Sequence, residues 1–295
     1  MTSAMTVEQH MERGDFEAAL QLLATQITGA APDPGLMLMV FNLEVRLQRF
    51  DAAERTIRRL LQLAPQLAGP LGVLAGNARA EARAVARLTD PALAGKRAGI
   101  GMPPPHAFGH VKAAVHHAQH DHATAAAALT EARERTPKVS GTLTRRSGAT
   151  LTFADLVDSD DLTGPILPCY EGDAVLDLPY SQLRSITFLD PRTSFDRMWI
   201  PADIVPVTGE PLHVKVPAFY PGTFVASDRA VRSGQTTSWE HEHGYAEAIG
   251  QRDLKLLGPE DRMSLVGILQ VRKIELEAPA PGAPAKKSFW KKLFN

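Results

Sequence analysis

The chain has 295 residues, 44% of them hydrophobic, with 32 basic and 33 acidic side chains for a formal net charge of −1. That length admits two domains with sizeable cores, and the only dense basic run is in the last ten residues, so no phosphate-tracking surface is expected and nucleic acid is excluded as a partner. Cys169 is the single cysteine and cannot form an intrachain disulfide. Residues 1–13 lack a signal-peptide pattern and no segment approaches the ~18 apolar residues that cross a bilayer, so the chain reads as cytoplasmic.

The N-terminal half repeats itself. Gly14-Asp15-Phe16-Glu17-Ala18-Ala19 returns 34 residues later as Gln48-Arg49-Phe50-Asp51-Ala52-Ala53, the period of a tetratricopeptide-type helical hairpin. A degenerate third copy sets His122, Ala125, Leu129, Ala132 and Pro137 at the spacing of Phe50, Ala53, Ile57, Leu60 and Pro65. Apolar residues three and four apart predict a helix from Phe16 to Ile27 with Asp15 as its N-cap, then helices over Leu36 to Leu47 and Asp51 to Leu63. Residues 70–88, rich in Ala and Arg, favour helix by propensity. Gly95 to Pro105 is too rich in Pro and Gly for regular structure, and helix resumes from His106 to Arg135.

After Pro137 the period falls from 3.6 to 2. Gly141–Arg145 and Ala149–Phe153 flank a hairpin turn, and further strands are predicted at Ile166–Tyr170, Ala174–Leu178, Arg184–Leu189, Arg197–Val207, Pro211–Val216 and Leu265–Leu276. Short helices are expected near 153–162, 179–183, 226–232 and 245–257. The fold class is therefore α+β: TPR-like helical hairpins over residues 1–137, then a mainly antiparallel β-rich domain over 138–277. The helical array is short and interrupted between residues 66 and 105, so it needs the β domain as its cap. Residues 278–295 read as a Pro/Ala linker and a basic amphipathic tail, with Phe289, Trp290, Leu293 and Phe294 on one face and four lysines on the other. That tail suits a protein groove or an anionic membrane surface.

The phrases Asp158-Ser-Asp-Asp-Leu-Thr-Gly-Pro-Ile-Leu167, Leu178-Pro-Tyr-Ser-Gln-Leu-Arg-Ser-Ile186, Asp196-Arg-Met-Trp-Ile-Pro-Ala202, Phe219-Tyr-Pro-Gly222 and Ile249-Gly-Gln-Arg252 stand in an order that resembles the ImpE/TagJ family. Together with the helical repeats the resemblance covers roughly residues 10–277. It implies a non-enzymatic, cofactor-free adaptor of bacterial type VI secretion. Such a protein engages a helix near the N-terminus of the small sheath subunit and, through it, the AAA+ ATPase that recycles contracted sheath.

Particular residues admit two readings. Trp199, Pro201, Tyr220 and Pro221 set aromatics beside prolines, which suits a partner-binding surface or, with Trp199 inside the β domain and Tyr220 in a turn, mere structure. Gln251 and Arg252 either bind the domain's own backbone or reach a partner. His116 and His120, four apart with His110, His117 and His122 nearby, invite a metal-dependent hydrolase as the alternative function, as does His241-Glu242-His243 on a strand. No H-E-x-x-H pattern supports either, and solvated polar faces are the simpler reading. Asp158, Asp160 and Asp161 lack calcium-loop spacing and read as caps and loop hydrogen bonds. A generic TPR-like adaptor of another pathway is the third possibility.

Overall fold

The computed structural model describes residues 5–27, 32–96, 98–99, 103–258 and 262–277. The predicted tail, with Phe289, Trp290, Leu293 and Phe294, lies outside them. Eight helices in chain order open the described chain: α1 (Val7–Glu12), α2 (Phe16–Gln26), α3 (Pro34–Arg46), α4 (Phe50–Leu63), α5 (Ala68–Ala86), α6 (Pro91–Ala94), α7 (Pro105–Ala118) and α8 (His122–Arg135). Their starts are where local chemistry puts them. Thr6 closes a capping box on α1, Asp33, Asp90 and Asp121 cap α3, α6 and α8 through their carboxylates, and proline opens α3, α6 and α7. Asp15 corrects the expectation. It occupies the N-cap position of α2 but makes no capping bond; its carboxylate accepts instead from Arg229 at 2.7 Å.

The repeated phrase is a repeated turn. Gly14, Gln48 and His120 occupy the same position in the three copies, and each is left-handed, with φ of +72°, +56° and +60°. The residue after each donates its N–H back into the preceding helix: Asp15 to His10 O (2.8 Å), Arg49 to Glu44 O (2.8 Å) and Asp121 to His116 O (2.9 Å). This is the Schellman closure, used to join α1 to α2, α3 to α4 and α7 to α8. Glycine adopts that backbone freely, whereas glutamine pays a steric penalty. Gln48→Gly is therefore expected to stabilise the fold by about 0.5–1 kcal/mol, seen as a higher urea midpoint; a lower midpoint would refute the assignment of strain to this turn.

The β half comprises β1 (Gly141–Arg145), β2 (Thr150–Phe153), β3 (Asp155–Asp158), β4 (Ile166–Glu171), β5 (Ala174–Pro179), β6 (Leu183–Phe188), β7 (Trp199–Pro206), β8 (Leu212–Pro217), a helical turn α9 (Arg229–Arg232), then β9 (Thr237–Glu240), β10 (Glu247–Gly250), β11 (Asp253–Leu257), β12 (Met263–Gly267) and β13 (Val271–Leu276). One large sheet has the order β2-β1-β13-β6-β7-β8-β4-β5, a second β12-β11-β3, and β9 pairs with β10. Every pairing between these strands is antiparallel.

Three expectations are corrected. The helices expected near 153–162 and 245–257 are strands, because Leu156 and Val157 of β3 pair with Leu256 and Lys255 of β11, and Gly250, at φ +119°, ends β10 in a backbone that no helix contains. Partner strands distant in sequence outvoted local periodicity there. The single strand expected over Leu265–Leu276 is two, separated by a 3₁₀ turn at Ile268–Gln270 and assigned to different sheets. His241-Glu242-His243 lies between β9 and β10 and belongs to no strand.

The large sheet is covered on both faces where β4, β5 and β7 run. Leu167, Cys169, Leu178, Ile200, Ala202 and Ile204 face a core inside the β half. The alternate residues Tyr170, Val175 and Trp199 join Phe16, Phe41, Leu43 and Leu71 in a core shared with the helices. Helix α5 seats against the β4–β5 turn so closely that a Cβ at Gly76 would lie 3.0 Å from the carbonyl of Gly172. Arg83 and Arg79 flank that contact with N···O distances of 2.9 and 3.9 Å to Asp173. At the other end α9 grips the first repeat turn, Arg232 Nε donating to Gly14 O at 2.8 Å and Gln235 Nε2 to Glu12 O at 3.3 Å.

A candidate binding cleft at the joint of the two halves

A cleft of about 300 Å³ opens where α5 and α7 face the β half. Its walls include Ala84 of α5, Arg87 and Leu88 in the turn that follows it, Ala114 and His117 of α7, Leu162, Val175, Pro221 and Ile249; Tyr170, Asp160, Tyr220, Glu247 and Arg252 add polar groups. Such a mixture of apolar wall and a few aimed polar atoms is the usual make-up of a binding site.

Behind the cleft the acidic phrase of β3 is wired to the ends of distant strands. Asp158, with its side chain fully buried, pairs with Arg252, which is 1% exposed, and accepts from the Tyr220 hydroxyl at 2.6 Å and the Asp160 N–H at 2.9 Å. Arg252 also donates through Nε to Pro217 O at 3.2 Å and lies 4.6 Å from the centre of the Tyr220 ring. Ser159 sits 2.9 Å from the same Tyr220 hydroxyl and accepts from Trp239 Nε1 at 3.0 Å. Asp160 accepts from the N–H groups of Thr163 (3.0 Å) and Ala248 (2.9 Å), and Asp161 from Ala246 at 2.6 Å. Asp160 and Asp161 thus fasten the loop ahead of β4 to β10 and the residue before it, the hydrogen-bonding role expected of them, whereas Asp158 is chiefly the partner of a buried arginine.

A second polar centre lies between α5 and the sheet. Glu81, 9% exposed, accepts at Oε2 from both the Tyr170 hydroxyl (2.9 Å) and Trp199 Nε1 (3.0 Å). Burial raises the pKa of this carboxyl. Trp199 is 1% exposed.

Of the six residues expected to meet a partner, Tyr220, Pro221 and Arg252 line the cleft, whereas Trp199, Pro201 and Gln251 do not. Trp199, Tyr220 and Arg252 are buried, so their side chains form no flat exposed surface. The main work of Arg252 is inside the domain, and Gln251 bridges Phe219 through the backbone. Sequence reading missed Glu81, although it is the lone acid among residues 68–88, a signal open to anyone asking why an Ala/Arg helix carries one carboxylate. It also missed Tyr245 and Glu247, which no motif marked.

Several groups here titrate far from their ordinary values. Burial pushes His106 and His110 down to about 4, with Arg133 adding to the effect at His110. Burial, reinforced by the Asp158 charge, pushes Asp160 up to about 7. The two histidines bind fewer protons folded than unfolded, so their contribution is complete above their unfolded value of about 6.5 and is lost as pH falls toward 4. Asp160 acts oppositely, holding its proton in the folded state between about 4 and 7, so its contribution declines as pH rises through that window. Burial pushes His117 down to about 4 as well and raises the carboxyls of Glu81 and Glu247 as it does that of Asp160, so the histidine part is read by difference: the melting temperature of the wild type minus that of His110→Leu is expected to climb from pH 4.5 to 6.5. A flat difference over pH 4.5–6.5 in scanning calorimetry would contradict the burial assignment of His110.

The architecture defines an α+β class in which a TPR-like helical array is capped and braced by an antiparallel β domain, with a cleft at their joint. Residues 151–275, a little under half of the chain, match the ImpE protein family model. The chain is 34% identical over 119 residues to the type VI secretion system accessory component TagJ of Pseudomonas aeruginosa, a match covering 40% of this chain and 41% of that protein. The fold as a whole is similar to the crystal structure of protein VPA1032 from Vibrio parahaemolyticus, with a TM-score of 0.77 at 13% identity over 92% of this chain and 97% of the other. No helix among the described residues is long and apolar enough to cross a membrane.

Proposed function

We propose that this protein is a non-enzymatic, cytoplasmic adaptor of type VI secretion that binds the N-terminal helix of the small sheath subunit and thereby links the sheath to its AAA+ disassembly ATPase. The observation that carries the reading is an ImpE-type domain, matched over residues 151–275, braced through one shared core against an array of helical hairpins. Such arrays hold partner helices through apolar anchors, and the similarity to an accessory component of that machinery supplies the pathway. The cleft, at about 300 Å³, has room for an anchoring side chain of such a helix between Leu88, Leu162, Val175 and Ile249.

Calorimetry tests this directly. A peptide copying the sheath subunit's N-terminal helix is expected to bind with Kd of about 1 μM or tighter. Ala84→Trp, which fills the cleft from its α5 wall, is expected to weaken that binding at least tenfold. Folded wild-type protein that gives no binding heat overturns the proposal, and unimpaired binding by folded Ala84→Trp removes the cleft from it.

A further inference from the structure

The third repeat turn differs from the other two in what it carries. His117, near the end of α7, and His122, at the start of α8, flank the left-handed His120, and the loop from 241 to 247 folds over them. The Tyr245 hydroxyl stands 2.9 Å from Nδ1 of His117 and 3.0 Å from Nδ1 of His122. Nε2 of His117 lies 3.7 Å from a Glu247 oxygen. The His243 ring stacks on that of His122 at 3.5 Å, within 5° of parallel.

A hydrogen inventory shows how one hydroxyl holds both rings in the same tautomer. A phenol has one proton to give and two lone pairs to accept with. Turned away from the two rings, that proton leaves the oxygen to receive Nδ1–H from both. Each imidazole is then held with Nδ1 protonated and Nε2 carrying the free lone pair. Fixing the tautomer through the far nitrogen is what supporting groups do for metal-binding histidines. One donor atom from each of His117, His122 and Glu247 lies within 4.8 Å of the other two. Tetrahedral ligands about 2 Å from an ion stand about 3.3 Å apart, so small side-chain rotations close the set.

We infer that His117, His122 and Glu247 form a binding site for a divalent transition metal of the zinc type, with Tyr245 as the residue that positions both imidazoles. Two imidazoles and one carboxylate are a donor set of borderline softness that leaves a fourth coordination position open. His117 and Glu247 line the cleft wall, so that position faces the cleft, where water or a side chain of a bound partner completes it. The histidines singled out by spacing, His116 and His120, are not the pair: His116 turns to Asp121 at 3.3 Å.

The test uses the full chain, stripped with chelator and titrated with ZnCl₂ in a calorimeter, with metal content after dialysis measured by mass spectrometry. One equivalent is expected in the wild type. The double variant His117→Ala/His122→Ala is expected to lose saturable binding, Glu247→Gln to weaken it, and Tyr245→Phe to weaken it by about 10- to 100-fold through the untethered rings. His213→Ala, at a histidine whose side chain is 84% exposed and elsewhere on the surface, is expected to keep full binding. Circular dichroism checks that each variant is folded, and Glu247→Gln, on a partly exposed residue, serves if the double variant is not. Absence of saturable binding in the wild type, equal affinity in wild type and Glu247→Gln, or several weak equivalents bound alike by all variants overturns the inference. None of these readouts involves the sheath peptide, so failure here leaves the adaptor reading standing.

Discussion

Replacing Arg252 with methionine is expected to cost the fold about 3–5 kcal/mol, because the change strands the Asp158 carboxylate in a site without solvent. Asp158 keeps the Tyr220 hydroxyl and the Asp160 N–H as donors, but two neutral donors do not replace a guanidinium when the side chain is fully buried. The aromatic face of Tyr220 also loses its cation at 4.6 Å. Removing the charge on the other side should recover part of the loss: in Asp158→Asn/Arg252→Met the amide oxygen still accepts from Tyr220 and no unpaired charge is left where the ion pair stood. The urea midpoints of the two single variants and the double variant form a cycle. A double variant that simply sums the single losses would show that the two side chains act independently, and the account of this network would be wrong.

Glu81→Leu is expected to cost about 2–5 kcal/mol, since it leaves both the Tyr170 hydroxyl and Trp199 Nε1 buried without an acceptor, at about 1–3 kcal/mol for each. Glu81→Gln should cost far less, because one amide oxygen can take the place of Oε2, which receives both donors. The contrast separates hydrogen-bond acceptance from charge. If Glu81→Leu unfolds at the same denaturant concentration as Glu81→Gln, the carboxylate does not hold α5 to the sheet. These donors sit on β4 and β7 and the acceptor on α5, so the loss should appear as loosening of the helical half from the β half. Near-UV circular dichroism of Trp199 would change before the far-UV signal does.

Much of the fold was legible along the chain. The helices at Phe16, Phe50 and His122 and the strands from Ile166 to Val216 lie within about two residues of where periodicity put them, because each buries one face and its pattern is local. The failures share a cause. In residues 153–162 and 245–257 short apolar runs separated by polar residues are compatible with either state, and the choice was made by β3, β10 and β11 finding partners far away in sequence. The candidate site was less legible. Tyr220, Pro221 and Arg252 were marked, and all line the cleft, yet the surface imagined for them was an open one. That Arg252 pairs inward with Asp158, 94 residues away, is not written in either neighbourhood.

By itself the sequence determined the fold class and the three equivalent helix turns, because each rests on spacing within a short window: a turn residue, an N-cap position and a ring-bearing residue recur as Gly14-Asp15-Phe16, Gln48-Arg49-Phe50 and His120-Asp121-His122. Tertiary structure alone decided which histidines meet, which carboxylates are buried and where the cleft lies. His117, His122, Tyr245 and Glu247 come from two segments more than a hundred residues apart, and only the packing of the β half onto the third turn brings them within reach of one another. Burial and charge pairing depend on what covers a residue, and that information lies in the distant segment that folds over it.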